Sequence, residues 1–88
     1  MDTNKKQILQ DEVDKNYQFF KTKLDEIIQK YFGKYALLRH SEIIDYFDSL
    51  DDAIKYANAI YTDKLYSIQK VENDGPVNLG FIGVQLNA

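Results

Sequence analysis

An α+β domain of order α-β-β-α-β is predicted from three features of this 88-residue chain. A long apolar stripe at helical spacing comes first. Two short apolar runs flanking a two-residue turn follow, and a capped second helix then leads into a third apolar run. In the first helix Leu9, Val13, Tyr17, Phe20, Leu24, Ile27 and Tyr31 recur every three or four residues, with no Gly or Pro among them. That spacing predicts an amphipathic helix over 4–31, capped at its start by Asp2, Thr3 or Asn4 and closed by Gly33. Such a helix spans roughly 40 Å at 1.5 Å per residue. A compact chain of this length is only about 30 Å across. The N-terminal turns are therefore expected to overhang the domain, dividing the chain into an extension (1–16), a core (17–72) and a C-terminal loop and arm (73–88).

Tyr35–Arg39 and residues 43–47 read as strands of a tight hairpin whose turn, His40-Ser41, lacks the glycine such turns favour. Ser49 is placed to cap a second helix over 50–61, with Asp52 at the third helical position. Residues 65–71 read as a third strand. Asn73-Asp74-Gly75-Pro76 is a loop signal, and Leu79 to Leu86 then reads as a fourth strand or an extended arm. The expected architecture is a small antiparallel sheet with both helices on one face. Its expected core comprises Tyr35, Leu37 or Leu38, Ile44, Phe47, Ile54, Ala57 and Ile68.

The segments Phe32-Gly33-Lys34-Tyr35-Ala36-Leu37-Leu38 and Ile43-Ile44-Asp45-Tyr46-Phe47-Asp48-Ser49-Leu50-Asp51-Asp52-Ala53 resemble a widespread family of small prokaryotic domains of unknown function. The resemblance covers about residues 17–71. It implies an α+β fold and supplies no activity or catalytic residues. The family carries an Asp-Gly-type turn where this chain has His40-Ser41.

Composition narrows the function classes. The absence of cysteine removes disulfides, thiol nucleophiles and thiolate metal sites together, and fits a reducing compartment. No apolar h-region follows the polar start and no run approaches the ~18 apolar residues of a membrane span, so a cytoplasmic protein is expected. A net charge of −3 argues against a nucleic-acid backbone as partner. Seven Tyr and five Phe exceed what a core this small absorbs, which directs aromatic side chains to rims and interfaces.

Four constellations invite chemistry, and each has a plainer account. His40 beside Ser41 and near Asp45 suggests a nucleophile and base, yet adjacent turn residues point apart and a triad is defined by geometry. Asp45, Asp48, Asp51 and Asp52 offer hard oxygen donors without the spacing of a calcium loop, and Asp51 and Asp52 already suit a first helical turn. Gly80-Phe81-Ile82-Gly83 lacks the following helix that a phosphate loop needs. Lys21, Lys23, Lys30, Lys34 and Arg39 are interleaved with aromatics, but Asp25 and Glu26 interrupt them as on a solvated face.

No catalytic, metal or cofactor site is therefore expected. The sequence instead points to a non-enzymatic interaction module: a small adaptor, inhibitor or regulatory subunit. It would dock a protein partner or a second copy through the N-terminal helix at Leu9, Val13, Tyr17 and Phe19. A strand edge at Phe81, Ile82 and Val84 is the other candidate surface. The alternative is a small-ligand domain with a tyrosine-lined pocket at a subunit interface.

Overall fold

The computed structural model describes residues 2–72. It has the order α1 (Asp2–Tyr31), β1 (Tyr35–Arg39), β2 (Glu42–Phe47), α2 (Leu50–Ile60) and β3 (Ser67–Lys70). This is the predicted α-β-β-α-β sequence of elements. The expected C-terminal strand or arm lies outside the described residues.

The strands form one antiparallel sheet in the order β2-β1-β3. Ala36, Leu37 and Leu38 of the central strand are all buried. A strand apolar at consecutive positions presents hydrophobic surface on both faces, and each face needs a cover. The two helices accordingly lie on opposite faces, which corrects the expectation that both cover one. On one face Leu37, Tyr66 and Ile68 pack with Ala53 and Ala57 of α2, whose small side chains let the helix approach closely. On the other face Ala36, Leu38 and Val71 pack with Phe20 of α1, flanked by Leu24, Ile27 and Tyr31.

Local chemistry sets the element boundaries. Gly33 at φ +83° ends α1, and its amide reaches Val71 O at 2.8 Å, so the turn after the helix is tied to the end of β3. Ser49 is extended and its Oγ accepts the Asp52 amide at 3.1 Å, the expected N-cap. The third strand is shorter than predicted. Asp63 Oδ1 accepts the Leu65 amide at 2.9 Å, and Lys64 adopts φ +63°. This Asx-type turn holds residues 63–65 out of the ladder.

Ile44 departs from the expected core. The β1–β2 register pairs Leu37 with Asp45 but Leu38 with Ile43, leaving Ile44 as the extra residue of a β-bulge. Having no opposite number on β1, it is 39% exposed.

The described residues measure 42 × 23 × 18 Å. The long dimension matches α1, whose 30 residues extend about 45 Å at 1.5 Å per residue. A five-residue strand covers only about 17 Å. The helix is therefore longer than the strands it packs on.

Candidate functional site

The hairpin end of the sheet is held against α1 by polar contacts. His40 and Ser41 both have positive φ, +53° and +61°. This is the sense of twist that a two-residue hairpin requires, achieved without glycine. Side chains of α1 hold both turn amides. Glu12 Oε2 accepts the His40 amide at 2.7 Å, and Asn16 Oδ1 accepts the Ser41 amide at 2.8 Å. Asn16 Nδ2 also donates to Glu12 Oε2 at 3.1 Å and approaches Leu38 O at 3.4 Å. His40 Nδ1 lies 3.0 Å from Glu12 Oε1. Glu12 and Asn16 are buried and the imidazole is exposed. The buried carboxylate orients the ring, but both amides that could have formed an oxyanion site are already bonded to α1. The cluster is a clamp on a strained turn.

Beyond this clamp, the first turns of α1 face the loop between α2 and β3. Lys5, Ile8 and Leu9 on the helix and Thr62, Asp63, Lys64 and Leu65 on the loop enclose a cleft of about 430 Å³. Ile8, Leu9 and Leu65 supply its apolar lining. Arg39 braces the loop from behind. It donates to both Asp63 oxygens at 2.8 and 3.0 Å and to Leu65 O at 2.8 Å, and its guanidinium lies 4.4 Å from the Tyr61 ring centroid. This planar fork is the geometry that favours Arg over Lys.

The Arg39 hydrogen bonds, aided by the Leu65 amide, lower the Asp63 pKa to about 2. A carboxylate with a depressed folded pKa adds stability above its unfolded value, near 4, and loses it as pH falls toward 2. The pair is partly exposed, so screening limits its contribution to about 1 kcal/mol or less. Thermal melts of wild type and Asp63→Asn should therefore differ at pH 7 and converge between pH 4 and 2. A constant difference across that window would exclude the linkage.

The structure disperses the residues singled out in the sequence. Leu9 lies at the cleft, half-buried. Val13 is 2% exposed, a core residue that offers no docking surface. The extension is correspondingly shorter than 1–16, because Glu12, Val13 and Asn16 are all buried. Tyr17 stands at the helix flank with Lys21 Nζ 5.1 Å from its ring centroid. Phe19 packs at the margin of the α1 core and lines a second, shallow groove with Gln18, Thr22 and Ser41. Phe81, Ile82 and Val84 lie outside the described residues.

The four aspartates have separate roles. Asp48 pairs with Lys34 and Asp51 with Lys55, while Asp45 Oδ1 accepts the Tyr46 amide and Asp52 offers its own amide to Ser49. Among the described residues no three metal-ligating side chains gather. The tyrosines are likewise spread. Tyr31 stacks on Tyr46 with centroids 3.7 Å apart, Tyr66 Oη donates to Asn58 Oδ1, and neither groove has a tyrosine in its lining. No helix among the described residues is long and apolar enough to cross a membrane.

Sequence reasoning passed over Glu12, Asn16, Lys5, Lys64 and Leu65. For Asn16 a signal existed. It stands between Val13 and Phe20 at stripe spacing, so a polar residue there had to be buried and bonded. No family model, curated protein or solved structure matches the chain.

Proposed function

We propose that the protein is a non-enzymatic interaction module of the cytoplasm, an adaptor, inhibitor or regulatory subunit that docks a partner protein through the first turns of α1. One observation carries this reading. Ile8, 54% exposed, and half-buried Leu9 line an open cleft with Leu65 at the N-terminal end of the helix. Apolar side chains gathered at an open cleft are where partner side chains gain most from burial. The engagement of Glu12 and both turn amides in holding the hairpin also favours docking over catalysis at His40.

The test replaces Ile8 and Leu9 together with Ser and leaves Val13 in the core. Light scattering on the purified chain reads self-association. A partner recovered with wild type is purified and its binding re-measured with both forms. The substitutions should abolish binding while the melting transition stays cooperative. A monomeric wild type with no partner whose binding depends on Ile8 and Leu9 would remove the basis of the proposal.

A further inference from the structure

The charges around the cleft indicate which partner chemistry it accepts. Lys5 on the helix and Lys64 on the loop both line the cleft, together with the apolar Ile8, Leu9 and Leu65. Lys64 Nζ bonds Asn58 Oδ1, an uncharged acceptor, at 3.1 Å. Lys5 has no ion pair among the described residues. The one carboxylate in the lining, Asp63, is neutralised by the Arg39 fork. An otherwise acidic chain, of net charge −3, thus places two lysines without a carboxylate partner among the described residues in the lining of an apolar cleft.

Resting on the docking reading above, we propose that the occupant is an acidic, apolar segment of a partner protein. An apolar side chain of that segment would enter between Ile8, Leu9 and Leu65 while its flanking carboxylates meet Lys5 and Lys64. A second copy docked cleft to cleft fits less well. Two-fold pairing repeats the same patch on both sides and sets lysines against lysines.

Fluorescence anisotropy with short fluorescein-labelled peptides tests this. One peptide carries Leu and Phe among Glu, a second replaces Glu with Lys, and a third replaces the apolar residues with Ser. The acidic apolar peptide should bind best and weaken as salt is raised. Lys5→Glu with Lys64→Glu should weaken it about tenfold, the scale of two exposed ion pairs turned repulsive, and should favour the lysine peptide instead. Lys5→Glu alone, on an exposed helical position, preserves the test if the loop variant fails to fold.

Equal binding of the acidic and basic peptides, or no binding by any, overturns the assignment. So does binding confined to anionic phospholipid vesicles in a parallel sedimentation assay. If the lysine reversals change nothing while Ile8→Ser with Leu9→Ser abolishes binding, the docking reading stands and the acidic partner falls.

Discussion

Replacing Phe20 with Ala is expected to remove about 3–5 kcal/mol of folding stability, the usual loss for a large aromatic deleted from a packed core. Phe20 is fully buried and is the α1 side chain in the cluster with Ala36, Leu38 and Val71. No neighbouring residue on α1 can fill the space, because Leu24 and Ile27 already pack further along the same face. A chain of this size has about 4–13 kcal/mol in total, so the loss should be visible as a large fall in the urea midpoint. Phe32→Ala is the control. That ring is 60% exposed and its removal should shift stability by about 0.5 kcal/mol or less. A Phe20→Ala loss below about 1 kcal/mol would mean that α1 is not held to the sheet through this contact.

The contrast between these phenylalanines shows how much of the fold is legible before any coordinates. Phe20 lies on the helical stripe and Phe32 directly follows its last member, so periodicity alone separates core from surface. The caps were equally readable, since Ser49 and Gly33 act through their own backbone and side chain. Burial of β1 on both faces was signalled by the unbroken run Ala36-Leu37-Leu38, but placing both helices on one face passed that signal over. The bulge at Ile44 was not readable, because a bulge is a property of how two strands pair. The candidate site was legible on one wall only. Leu9 follows from the stripe. Val13 belongs to the same stripe, and periodicity does not say where the sheet beneath a helix ends. Lys5 and Leu65 are brought together by tertiary packing across most of the chain, and the conformation of residues 63–65 depends on the Arg39 fork.

The contacts of Asn16 support the second large expected effect. Its Oδ1 holds the Ser41 amide, and its Nδ2 donates to Glu12 and approaches Leu38 O, all in a buried setting. A left-handed backbone costs a non-glycine residue roughly 1–2 kcal/mol, and His40 and Ser41 both adopt it. Asn16→Ala removes the acceptor that holds this turn and deprives two buried polar partners of a bond. About 2–3 kcal/mol should be lost. Ser41→Gly should recover about 0.5–1 kcal/mol of that, since glycine occupies φ +61° without strain.

Asn16→Asp separates the bonding role from the packing role. It keeps the shape and the acceptor for Ser41, but sets a second carboxylate against Glu12 where a donor stood. Two carboxylates sharing a site raise the pKa of one of them. A carboxyl group whose pKa is raised by folding destabilises the protein above that pKa and is harmless once protonated. The stability difference between wild type and Asn16→Asp should therefore be large at pH 7 and shrink as pH falls toward 4. Asn16→Ala has no such group, and its difference from wild type should stay nearly constant over the same range. If both variants follow the same pH dependence, Asn16 Nδ2 does not meet the Glu12 carboxylate as a donor, and Asn16 holds the turn through the Ser41 amide alone.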